Sequence, residues 1–220
     1  MLPEEFIIKV KNYLDEVGID IDTLTIRDLD DNYSDIDYAG LLCCNNIFRF
    51  NYGATRGCII PIEKDCSQPK FVFKFDFDEL SESYCFNEAE IYHRAERAGL
   101  APCFAEVKYF DNISSLTRVY ICEFVDVTHV KTNAYITNEE LKQIADHTSR
   151  HNKAPHIPYV WSRDFIEYYG DAVYDDFLNF LVENGINDLH SSNLGYKDGR
   201  PIVFDYAGYF EPSSDYSCNF

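Results

Sequence analysis

The sequence predicts an α+β protein, β-rich in its N-terminal half and helical in its C-terminal half. Three observations carry that expectation. The N-terminus has one run of helical periodicity, five β-like runs surround a single helical stretch over residues 45–126, and helical periodicity returns after residue 137.

In chain order, Phe6, Ile7, Val10, Leu14 and Val17 recur at helical spacing from Pro3, and Gly18 ends the run. An acidic connector through Asp37 follows. The first two β-like runs are "NNIFRFNY" (45–52) and "GCIIPI" from Gly57, with Gly53 and Gly57 bracketing their turn. The third, "KFVFKFDF" from Lys70, alternates strictly. Phe71, Phe73, Phe75 and Phe77 therefore share one face, and Val72 and Lys74 the other. Residues 81–98 read as a helix closed by Gly99 and Pro102. Two more strands, "AEVKYF" and "RVYICEFV", flank a turn at "DNISS". Asn138 is placed to cap a helix to about residue 152, and 161–184 reads as a second, longer helix with aromatic residues at core spacing. A polar loop, "INDLHSSNLGY", precedes a hairpin with "KDGR" as its turn and "PIVFD" as its second strand. These boundaries divide the chain into residues 1–40, 41–126 and 127–220.

The formal net charge of -19 disfavours general nucleic-acid binding, which needs Lys and Arg to displace counterions from phosphates. It fits a well-solvated surface, and it also leaves open an acidic decoy that occupies a basic protein partner. No apolar run approaches the ~20 residues of a membrane span, and the N-terminus lacks the basic region of a signal peptide. Eight cysteines without a Cys-x-x-Cys pair are expected to be reduced thiols of a cytoplasmic protein.

The chemistry concentrates after residue 185. Asp188 and Asn193 stand five residues apart between a helix and a hairpin, and Asp205 ends that hairpin, so three oxygen-bearing side chains can converge. Hard oxygen donors of this kind suit Mg²⁺. Lys74, on the face opposite the phenylalanines, needs a counter-charge if it is covered, and Glu88 on the following helix can supply one. The turn "GATRG" can approach phosphates through its backbone. His147 and His151, one helical turn apart, lack the Glu and the third ligand of a zinc site and read as a polar helix face. His190, Ser191 and Ser192 have no nucleophile elbow around them and read as loop hydrogen-bonding groups.

The order "GATRG … VFK … NEAEIYHRAERAGLAP … CEFVD … NDLHSSN … VFDYAG", over residues 45–210, resembles the protein-kinase-like fold, closest to its aminoglycoside and choline phosphotransferase branch. The resemblance implies two lobes: a five-stranded antiparallel sheet with one inserted helix, and a small helical lobe with a catalytic hairpin. It also implies ATP and Mg²⁺ as cofactors and phosphoryl transfer to a hydroxyl of a protein or small-molecule acceptor. On that basis Asp188 would be the catalytic base. Lys74 would hold the nucleotide phosphates and pair with Glu88, with Glu90 as a second candidate. Asn193 and Asp205 would hold the metal. Gly53, Thr55 and Gly57 would cover the phosphates, while Val72 and the Glu123-Phe124-Val125 hinge would line the adenine pocket. Two departures stand out. Ile186-Asn187 replaces the usual His-Gly before the catalytic Asp, and only twelve residues follow Gly208, which predicts a reduced lobe without an activation segment. An inactive kinase-like interaction module is therefore the alternative to an enzyme.

Overall fold

The structure is a computed structural model that describes residues 2–64, 68–78, 83–110, 119–126, 135–151 and 154–207. The expected turn at "DNISS", the first residues of the 81–98 helix, the segment 127–134 and Gly208 lie outside them. The fold is α+β: a five-stranded antiparallel sheet, a two-stranded hairpin and several helices. The chain divides into two compact units, one of residues 1–92 and 106–124, the other of 93–105 and 125–220.

The first unit opens with helix α1 (Pro3–Val17), which buries Phe6, Ile7, Val10 and Leu14. Gly18 ends it at φ 71°, and the Ile19 amide reaches back to the Leu14 carbonyl at 2.9 Å, a left-handed cap that glycine adopts without a Cβ clash. The acidic connector is less open than its composition suggests. It buries Ile21, Leu24 and Leu29, and it ends in a short helix, α2 (Tyr38–Cys43), capped by the Asp37 carboxylate. Sequence periodicity missed α2 because six residues are too few to display a period.

Strands β1 (Phe48–Tyr52), β2 (Arg56–Pro61), β3 (Phe71–Asp76), β4 (Val107–Tyr109) and β5 (Val119–Glu123) form an antiparallel sheet in the order β1-β2-β3-β5-β4. The phenylalanine face is the core of the unit. Phe6 of α1 stacks on Phe73 at 5.7 Å and meets Phe71 edge-on at 5.9 Å, and Phe75 and Phe77 are buried beside them. Burying each such ring contributes about 1.5–3 kcal/mol. This face takes the aromatic side chains, so Lys74 is left on the other.

Helix α3 (Tyr84–Arg97) follows. Ser83 accepts the Phe86 amide at 3.0 Å, and Gly99 at φ 74° closes the other end. The first unit takes α3 through Tyr92 and the second takes the remainder.

In the second unit, helix α4 (Asn138–Arg150) is capped by Thr137, not Asn138. The Thr137 hydroxyl and the Glu140 carboxylate form a reciprocal capping box. The single helix expected over 161–184 is two: α5 (Tyr159–Tyr169) and α6 (Asp171–Glu183). Gly170 separates them at φ 91°, ψ 163°, a backbone region open essentially to glycine alone. The aromatic residues expected in the core are there. Trp161, Phe165, Tyr174 and Phe177 are buried and pack on one another, with Phe165 and Phe177 4.7 Å apart. Hairpin strands β6 (Leu194–Lys197) and β7 (Arg200–Val203) turn at Asp198-Gly199, both at positive φ (51° and 79°), the geometry of a two-residue type I′ turn. β7 stops at Val203, so Asp205 lies just beyond the strand instead of ending it. Among the described residues no helix is long and apolar enough to cross a membrane. The described cysteines are free thiols.

Candidate functional site

The predicted residues fall into two groups, one in each unit. In the first, strand alternation places Lys74 on the polar face of β3, and α3 delivers Glu88 to it. The Lys74 ammonium lies 3.2 and 3.1 Å from the two Glu88 oxygens, and Glu88 is fully buried. Glu90, the second candidate, is not the residue that meets Lys74. Glu88 has a second cation that was not among the predicted site residues: Arg56 at the start of β2 donates to its Oε2 at 2.7 Å. Arg56 shares the face of Lys74 because Cys58, two residues on, stands opposite Lys74 in the ladder. That alternation was readable in the sequence, but the register between β2 and β3 was not.

Burial opposes the charge on Lys74 and on Arg56. Glu88 outweighs it and holds both groups above their ordinary pKa values. Asp76, opposite Arg56, accepts the Ser83 hydroxyl and, at 3.0 Å, the Cys85 amide. Three thiols border this cluster. Burial pushes Cys58 up to about 11 and Cys85 and Cys122 upward as well, so they remain neutral beside the ions.

The residues expected over the phosphates and the base divide further. Gly53 is exposed in the β1–β2 turn, where its amide donates to the Arg56 carbonyl at 3.0 Å. The Thr55 carbonyl accepts the Phe77 amide at 3.2 Å. Gly57 has a packing reason to be glycine: a Cβ there would lie 2.3 Å from the Phe75 ring. Val72 is buried on the Lys74 side of β3. The Glu123 and Phe124 amides already donate to the Glu106 and Lys70 carbonyls, at 2.8 and 3.2 Å. Those two N–H groups are therefore not the ones that would read a base. Val125 is buried against Gly195, whose missing Cβ would lie 2.3 Å from Val125 Cγ1.

In the second unit, the loop after α6 is anchored at both ends. Gly185 adopts φ 66°, and the Ile186 amide returns to the Leu181 carbonyl at 2.9 Å, closing the helix while the Ile186 side chain is buried. The unusual Ile186 before Asn187 is thus a hydrophobic anchor for the loop. Leu189 is also buried, while the Asp188 carboxylate is about one-third exposed. Asn193, itself buried, ties the loop together. Its side-chain nitrogen donates to the Asp188 carbonyl at 2.7 Å, its amide donates to the His190 carbonyl at 2.9 Å, and its carbonyl accepts the Phe204 amide at 3.0 Å. One asparagine therefore connects Asp188 to the residue preceding Asp205. Asp205 holds a left-handed backbone, φ 55°, which is uncommon for a residue with a Cβ. His190 behaves as a loop residue. Its Nδ1 accepts the Ser192 amide, and its Nε2 is 3.6 Å from Asp188, beyond hydrogen-bond range.

With the Asn193 nitrogen committed to Asp188, its amide oxygen is the atom that could meet a cation, alongside the Asp205 carboxylate. Two oxygen donors fit the small protein share of a magnesium shell. Among the described residues, no group of three or more His, Cys, Asp or Glu is arranged to hold a metal ion. Comparison with protein-family models, curated proteins and solved structures gives no match for the chain.

Proposed function

We propose that the chain is an ATP- and magnesium-dependent phosphotransferase of the kinase-like type, acting on a hydroxyl of a protein or small molecule. The observation that carries this is the fully buried Glu88 carboxylate held against Lys74. Burying an ion pair is costly, and apolar residues of similar volume often serve stability as well or better. A lysine fixed in this way on a sheet face is suited to hold an anion such as a nucleotide phosphate. The second support is the Asp188 loop, in which Asn193 fixes the backbone of a partly exposed carboxylate.

In this mechanism Lys74 donates to the nucleotide phosphates while Glu88 holds its ammonium in place. Asp188 accepts the proton of the attacking hydroxyl, and Asn193 orients its loop. Asn193 and Asp205 would hold magnesium, which when bound neutralises charge on the transferring phosphoryl group. Lys74→Met and Asp188→Ala should each abolish transfer on this reading.

The test is transfer of labelled γ-phosphate together with thermal shift in ATP and Mg²⁺. Asp188→Ala should retain nucleotide binding and lose transfer by about 10²–10⁴-fold, the usual contribution of a general base. Lys74→Met should lose the thermal shift itself. Absence of any shift in the wild type would overturn the proposal. A shift without transfer to any acceptor would make the chain a nucleotide-binding interaction module. Salt-sensitive capture of a basic protein, unaffected by Asp188→Ala, would favour the acidic decoy.

A further inference from the structure

Helix α4 has little apolar anchorage: its buried residues are Ile144 and His147. His147 is almost fully enclosed and lies between two carboxylates of α6. Its Nε2 is 2.7 Å from Asp171 and its Nδ1 is 2.8 Å from Asp175, while the Tyr174 ring packs edge-on against the imidazole at 5.5 Å. Both carboxylates are aimed by other side chains of α4 and its C-terminal cap. Gln143 donates to Asp171 at 2.7 Å, Arg150 donates to Asp175 at 3.0 Å, and His151 Nε2 is 3.3 Å from Asp175. From α5, Ser162 receives the Tyr174 hydroxyl at 2.9 Å, while Arg163 and Asp164 pair with each other. The charges that favour a protonated His147 are those of Asp171 and Asp175.

A neutral imidazole has one N–H and one lone pair. With a carboxylate oxygen within 3 Å of each nitrogen, the neutral ring would turn its lone pair on one of them. Only the doubly protonated ring satisfies both contacts.

We propose that His147 is a proton-operated clamp: with both ring nitrogens protonated it bridges Asp171 and Asp175 and holds α4 on α6, and loss of one proton releases that helix. Burial works against the imidazolium charge, but the hydrogen bonds to Asp175 and Asp171 outweigh it and raise the His147 pKa above its ordinary value. The carboxylates stay ionised. Hydrogen bonds from Gln143 and His147 lower the Asp171 pKa, and at Asp175 those from His147 and His151 overcome burial. Because the histidine pKa is raised on folding, the clamp is fully engaged below the free value of about 6.5 and is lost as pH rises through the folded value. The helix is thus held tightest in acid and loosens toward alkaline pH.

Two measurements on the intact chain test this. Nitrogen chemical shifts of the labelled histidines should show both His147 nitrogens protonated at pH 6, with a midpoint above about 6.5. Amide exchange, corrected for its intrinsic pH dependence, should show α4 protection falling about tenfold per pH unit between the free and folded pKa values, while the α6 core amides hold theirs. His147→Gln should flatten that slope, and Asp171→Asn should move the midpoint down. A neutral His147 at pH 6, or an unchanged slope in His147→Gln, would overturn the clamp. So would protection of α4 that follows added zinc instead of protons. The wild-type titration decides the matter even if a variant fails to fold.

Discussion

Glu88 carries the most consequence of any single side chain, because one buried carboxylate answers two partly buried cations, Lys74 and Arg56. Glu88→Gln keeps the shape and removes the charge, leaving both cations without it. The expected loss is about 3–5 kcal/mol, measured by urea denaturation, and adding Lys74→Met should restore part of it. A loss below about 1 kcal/mol would mean that the cations find compensation elsewhere. Lys74 was legible because a charge inside an alternating phenylalanine strand announces its face. Glu88 was legible as a carboxylate on the helix that follows β3, with Glu90 the second candidate there. The role of Arg56 was not legible, since the residue it meets depends on how β2 pairs with β3, and pairing register leaves no local mark in a short strand.

Among the elements, those ended by a local backbone signal were easiest to read. Gly18 and Gly99 stop α1 and α3 as expected, and "KDGR" makes the hairpin turn because Asp198 and Gly199 adopt the positive φ that such a turn requires. The 161–184 helix failed on the same kind of signal. Its apolar period runs through Gly170, and a lone glycine inside a periodic stretch is often tolerated, so periodicity masked the break. Gly170→Ala should cost about 1–3 kcal/mol, seen as a lower thermal midpoint, because a Cβ is strained at φ 91°. If the midpoint does not move, α5 and α6 can join into one helix and the break is incidental. In α4, cap and period were both legible to within a residue. The burial of His147 was not, because its partners lie on α6, more than twenty residues away in sequence.

For the molecule as a whole, the net charge of -19 sets a background of self-repulsion in the folded state. Raising NaCl from about 0.01 to about 0.1 M shortens the screening length from roughly 30 to 10 Å and should raise the thermal midpoint. A fall would mean that attractive surface pairs outweigh the repulsion. The buried Lys74–Glu88 pair should be nearly indifferent to the same change, since salt screens exposed charges far more than buried ones.

The sequence by itself determined the α+β class, the five strands around one helix, the aromatic core of each unit and the hairpin near the end. Each follows from a period or a turn residue that acts over a few positions. Only the tertiary structure decided that Glu88 serves Arg56 as well as Lys74, that Asn193 fastens the Asp188 loop to the end of β7, and that His147 bridges two carboxylates of α6. Those are pairings between distant residues. Their energy depends on distance and burial, and neither quantity exists until the chain has folded.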